Sequence, residues 1–141
     1  MNRGILVACA ALIAVSCASK APPTAVAALD WQAVAGEGVP EIVTRDPDGA
    51  ERVTKLWLVV VDGVGLIRTG DTRWFRNIER DPNLVLRIGG YAHPLRAELV
   101  TEESFEKRAN AAFREKYGWL DWLIHPIGEP DSNLMRLVPR E

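Results

Sequence analysis

From Glu41 onward the chain alternates apolar and polar positions at strand spacing and breaks the alternation at turn residues. Glu41 to Arg45 is a short β run that ends at Asp46-Pro47-Asp48-Gly49, four residues that favour turn geometry, so a hairpin is expected. Arg52 to Val61 then rises into Leu-Trp-Leu-Val-Val-Val, whose continuous apolar character predicts one largely buried central strand. Asp62-Gly63 is a two-residue hairpin signal that returns the chain through Val64 to Thr69. Beyond it, Asp71 or Thr72 can cap a short helix that runs to about Arg80, with Trp74 and Ile78 on one face and Asp81-Pro82 as its stop.

Two half-buried strands follow, Leu84 to Ile88 and Leu95 to Leu99, with Gly89-Gly90 between them. Thr101, Glu102 and Glu103 open the longest helix, in which Phe105, Ala109, Ala112, Phe113 and Tyr117 keep to one side, and Gly118 ends it. Trp119 to Ile124 is expected to form a short helix over a groove, and Asn133 to Val138 supplies a last strand. The order predicts a mainly β, α+β fold. It is a six-stranded antiparallel sheet closing into a small barrel, with a short helix inserted after the third strand and a longer one before the last.

Ahead of this domain, placed at residues 39–141, the pattern changes. Met1-Asn2-Arg3 is a short positive region, Gly4 to Ala14 is apolar but short for a bilayer span, and Val15-Ser16 precedes Cys17. The segment 1–16 looks like a lipoprotein signal peptide that leaves Cys17 as the lipid-carrying first residue; a plain secretory cut near Ala18-Ser19 or a retained anchor is the alternative. The expected location is the cell envelope, and the outer membrane facing the periplasm if the cell is Gram-negative, because Ala18 rather than Asp follows the cysteine. Residues 17–38 are rich in Ala, Pro and Gly and read as a tether with a brief ordered piece around Leu29 to Val34.

Composition narrows the chemistry. The formal net charge is −2, with no basic stripe, which argues against nucleic acid. The two cysteines are Cys9 in the signal and Cys17 at its end, so the domain holds no internal disulfide, thiolate nucleophile or cysteine-based zinc site. His93 and His125 both precede proline without a second ligand at suitable spacing, and no metal is expected.

The stretch Asp62 to Gly90 carries the candidate site. Arg68, Thr69, Thr72 and Arg73 gather where a strand stops and a helix starts, a place suited to an anion such as a phosphate. The alternative is that Thr72 only caps the helix and the arginines are solvated or paired with Asp71 and Glu79. Trp57 and Trp74 can stack on a flat ring or belong to the core.

Leu66-Ile67-Arg68-Thr69, Thr72-Arg73-Trp74, Asn77 and Asp81-Pro82-Asn83, in this element order, resemble the split β-barrel of the pyridoxamine 5′-phosphate oxidase-like superfamily. Within it they resemble the deazaflavin-dependent nitroreductase-like branch. In oxidases of that superfamily a strand-end Thr and a Ser-Arg-Lys-like triplet hold the phosphate of FMN. Thr69, Thr72 and Arg73 match that pattern, and Trp74 stands where Lys would be. The resemblance implies a pocket of Lys55, Trp57, Arg68, Thr69, Thr72, Arg73 and Trp74 for FMN or a deazaflavin of the F420 type. It also implies a homodimer and oxidoreductase chemistry that belongs to the cofactor. The competing expectation is a split-barrel binding or interaction module that has lost the cofactor.

Overall fold

The computed structural model describes residues 29–118 and 132–140. Within them seven strands, β1 Glu41–Arg45, β2 Glu51–Lys55, β3 Leu58–Val61, β4 Val64–Thr69, β5 Asn83–Ile88, β6 Tyr91–Leu99 and β7 Asn133–Pro139, form one antiparallel sheet in the order β2-β1-β5-β6-β7-β4-β3. Three helices accompany it: α1 Trp31–Val34, α2 Arg73–Arg80 and α3 Glu103–Tyr117. The short helix expected at Trp119 to Ile124 lies outside the described residues.

Seven strands replace the expected six because the run from Arg52 to Val61 is broken at Leu56-Trp57. β2 pairs with β1 and β3 pairs with β4, so one extended run supplies both ends of the sheet rather than a central strand. The apolar character that suggested a central strand has another origin. Leu58 points into the barrel with Ile42 and Ile67, while Val59 faces outward against Ala109 and Phe113 of α3. An edge strand covered on both faces shows the same continuous hydrophobic pattern as a central one.

The barrel interior is filled by alternate residues of the strands, among them Ile42, Ile67, Leu84, Leu86, Leu95 and Leu137, and one end is plugged by Trp74, Phe75 and Ile78 of α2. Thr72 caps α2, its hydroxyl accepting from the Phe75 N–H at 3.3 Å. The Asp62-Gly63 turn forms as expected, both residues having positive φ (52° and 74°). α3 begins one residue later than the Thr101 signal suggested. Its N-cap, Glu102, makes no capping bond, and its carboxylate instead accepts from Arg136 of β7 at 3.2 Å.

The ordered piece expected near Leu29 to Val34 is α1, capped by Asp30. Leu29, Trp31 and Val34 pack on the interior core, and the Trp31 ring rests against Gly65 of β4, where a side chain would have to occupy the same space. Gly65 is therefore required for close approach. Gly65→Ala should displace the Trp31 ring and destabilise the fold by about 1–3 kcal/mol, the usual cost of overpacking, read as a lower thermal midpoint together with a red shift of tryptophan emission.

Candidate functional site

The break between β2 and β3 opens a groove. Lys55, Leu56 and Trp57 form one side, the end of β4 and the start of α2 supply Arg68, Thr69, Thr72 and Trp74, and Val39 and Gly70 complete it around about 420 Å³. Six of the seven residues singled out from the sequence thus share one cavity, of a size within the usual range for small-ligand sites. Arg73 is placed elsewhere. Its guanidinium lies 3.3 Å from the carboxylate of Asp46, on the side of α2 that faces the β1–β2 turn, and it is two-thirds exposed.

The hydroxyl pair is held tightly. Thr69 Oγ1 and Thr72 Oγ1 are 3.1 Å apart, the Thr72 N–H donates to the Gly70 carbonyl at 2.9 Å, and Thr69 itself is buried. Both hydroxyls lie at the N-terminus of α2, where unpaired N–H groups and the helix dipole favour negative charge.

Arg68 is the half-buried cation of the groove. Its Nη1 donates to Asn110 Oδ1 at 2.8 Å and its guanidinium carbon sits 4.2 Å from the centre of the Phe113 ring. Burial, with a smaller contribution from Arg114, lowers its pKa to about 10, so it stays charged at neutral pH. Trp57 stacks on Tyr117, with ring centres 4.4 Å apart and planes within 8°, and Tyr117 in turn lies 6.2 Å from Phe113. A continuous stack, Trp57–Tyr117–Phe113–Arg68, therefore joins two opposite walls of the groove through α3.

Tyr117 also fixes the corner itself. Its hydroxyl accepts from the Leu58 N–H at 3.0 Å and donates to the Leu58 carbonyl at 2.9 Å, and Lys116 Nζ donates to that same carbonyl and to the Ala35 carbonyl, each at 2.9 Å. Asn110 and the paired role of Tyr117 were not singled out from the sequence. The signal was available in part, because Asn110, Phe113 and Tyr117 fall on one face of α3.

A buried carboxylate steadies the far side of α2. Asp46 accepts from Arg52 Nε and Nη2 at 2.9 and 2.8 Å and from Asn77 Nδ2 at 2.8 Å, while Asn77 also reaches Thr44. The Arg52 and Asn77 hydrogen bonds hold the Asp46 carboxyl well below the usual carboxylate range. Arg76, a turn further along the helix, pairs with Asp71 at 2.7 Å.

The split barrel is a fold with solved counterparts, pyridoxamine 5′-phosphate oxidase-like structures among them. The heme storage protein HutZ of Vibrio cholerae matches with a TM-score of 0.60 at 17% identity, over 79% of this chain and 85% of that one. A FAD-binding protein of Mesorhizobium loti matches at 0.59 and 13% identity, over 82% of this chain and 91% of that one. An F420 reductase matches at 0.52 and 15% identity, over 82% and 97%. No protein-family model and no curated protein matches the chain. At these identities the likeness establishes the fold alone, an antiparallel split barrel.

The depressed Asp46 pKa has a definite sign. A carboxylate stabilised in the folded state contributes fully above its ordinary pKa, near 3.8, and that contribution is lost as pH falls below this value. Urea unfolding from about pH 6 down to about pH 2.5 should show the wild type weakening steeply at the acid end. Asp46→Asn should be weaker at neutral pH, and its deficit against the wild type should shrink as the pH falls.

Proposed function

We propose that the groove holds a phosphate-bearing flavin or deazaflavin, of the FMN or F420 type, and that the protein is an oxidoreductase acting on a small molecule. The observation that carries this reading is the make-up of the groove among the described residues: two cations, Lys55 and Arg68, a paired hydroxyl set at a helix N-terminus, two indole rings and no carboxylate in the lining. An anionic aromatic ligand meets each of these groups with its complement.

The fit can be taken residue by residue. Thr69, Thr72 and the first N–H groups of α2 receive a phosphate, and Arg68 supplies a charge that its Asn110 and Phe113 contacts keep in place. Trp57, pinned by Tyr117, gives a flat apolar wall that excludes water from one side of a ring. The bound group supplies the redox chemistry, and these side chains bind, orient and desolvate it. A heme-binding reading is less well supported, because none of the lining residues among those described is a His, Cys, Met or Tyr that ligates iron. A binding module without turnover is the second reading. It is favoured by the lack of a lining acid or histidine among the described residues to move a proton and by the diversion of Arg73 to Asp46.

The same reading places the protein in the cell envelope, lipid-anchored through Cys17, and pairs it with a second copy. Labelling with a fatty-acid analogue tests the anchor: the wild type should be tagged and Cys17→Ser should not.

Titration of the purified protein with FMN and with F420, followed by absorbance and tryptophan quenching, tests the ligand. Saturable binding of either is expected. Arg68→Ala should weaken it about tenfold or more, consistent with about 1.5–3 kcal/mol for a charge-assisted contact. Arg73→Ala should change it less than about twofold, since Arg73 is paired away from the groove. No binding of either compound would overturn the cofactor reading in favour of the module.

A further inference from the structure

Arg68 leaves the sheet on its outer face. Along β4 the side chains of Leu66 and Ile67 go to opposite sides, Leu66 under α3 and Ile67 into the barrel, so Arg68 emerges on the side of Leu66, toward α3, and lines the groove as well. A long, rotamer-rich side chain in that place needs a seat if its charge is to stay at one point. α3 provides one from two residues three apart on the same face: the centre of the Phe113 ring lies 4.2 Å from the guanidinium carbon, and Asn110 Oδ1 accepts from Nη1 at 2.8 Å.

The residue type at position 110 is informative. Asn110 stands in the middle of α3, within Ala109-Asn110-Ala111-Ala112, where asparagine is a weaker helix former than its alanine neighbours. Elsewhere the chain meets arginine with a carboxylate: Asp46 takes Arg52, Asp71 takes Arg76, and Asp62 takes Arg108. An aspartate at 110 would accept the same bond more strongly and would offset the repulsion that Arg114 exerts on Arg68. The amide accepts the bond without offsetting the charge. Position 110 thus holds a residue that favours neither the helix nor the stability of the cation, the pattern expected where local preference yields to a functional site.

We propose that Asn110 is a positioning residue for the anion site: it fixes the Arg68 guanidinium beside the groove and, being uncharged, leaves that charge to a phosphate-bearing ligand. The inference rests on the ligand reading given above and deepens it by a residue that lies outside the groove lining. The helix orients the cation and the ligand neutralises it. A phosphorylated compound gains from this arrangement and its uncharged parent does not, so Asn110 sets a preference between ligands rather than a general affinity.

Paired titrations of the purified protein decide it, with FMN and its phosphate-free parent riboflavin as probes, or F420 and the corresponding phosphate-free deazaflavin where only those bind. The wild type should favour the phosphorylated compound. Asn110→Asp keeps the size and the acceptor but neutralises Arg68, and should weaken FMN about tenfold while riboflavin changes less than about twofold. Its thermal midpoint should hold or rise, which separates lost charge from lost fold. Asn110→Ala removes the seat without adding charge and should weaken FMN about threefold, again with riboflavin unchanged. A wild-type preference for phosphate retained in either variant would overturn the role of Asn110 and leave the flavin reading standing. Equal loss of FMN and riboflavin would overturn it too, by reducing Asn110 to a structural part of α3. A wild type that binds FMN and riboflavin equally would overturn the phosphate contact on which the proposal depends. A wild type that binds none of these compounds would overturn the flavin reading and this inference with it.

Discussion

Everything in this molecule depends on two residues, Leu56 and Trp57, carrying the chain from one end of the sheet to the other. β2 and β3 are the terminal strands of the ladder, yet they are joined by this two-residue link. Two residues span less than about 11 Å of extended backbone, so a sheet with this connection cannot lie open and must curl until its ends meet. The interior core, the plug of α2 and the position of the groove are consequences of that closure. The groove is the gap that remains where the two ends approach without pairing.

That origin explains why the candidate site is built from distant parts of the sequence. The corner contributes Lys55 and Trp57, the end of β4 contributes Arg68 and Thr69, and α2 begins beside them. Such a gap would be soft without support, because no ladder bonds cross it. α3 provides the support from outside: Phe113 and Tyr117 carry the stack from Arg68 to Trp57, and Lys116 ties the corner to the segment behind α1. Rigidity at the site thus comes from a helix that contributes no residue to its lining.

Much of this was legible in the sequence, for physical reasons. Hairpins at Asp62-Gly63 and Gly89-Gly90, the cap at Thr72 and the stop at Gly118 are local preferences, and local preferences survive folding. The gathering of Arg68, Thr69 and Thr72 was legible because strand end and helix start adjoin in sequence. The split at Leu56-Trp57 was not, since nothing in a continuous apolar run distinguishes a central strand from an edge strand covered on both faces. Arg73 was misplaced for a related reason. It stands one residue from Thr72, but on a helix one residue is a turn of about 100°, and Asp46, far away in sequence, lies on the side it faces. Pairings of that kind depend on topology, which spacing alone does not reveal.

The capping of Leu58 has a consequence for how the molecule behaves in a crowd. A terminal strand usually presents bare N–H and carbonyl groups, and these invite strands from other molecules to add on and propagate. At Leu58 both groups are already engaged by the Tyr117 hydroxyl, with Lys116 on the same carbonyl. A strand approaching there would have to displace a stacked aromatic ring and bury an ammonium group before gaining its first bond. The corner that shapes the groove is therefore also a guard against polymerisation through β3, supplied by two adjacent side chains at the end of α3.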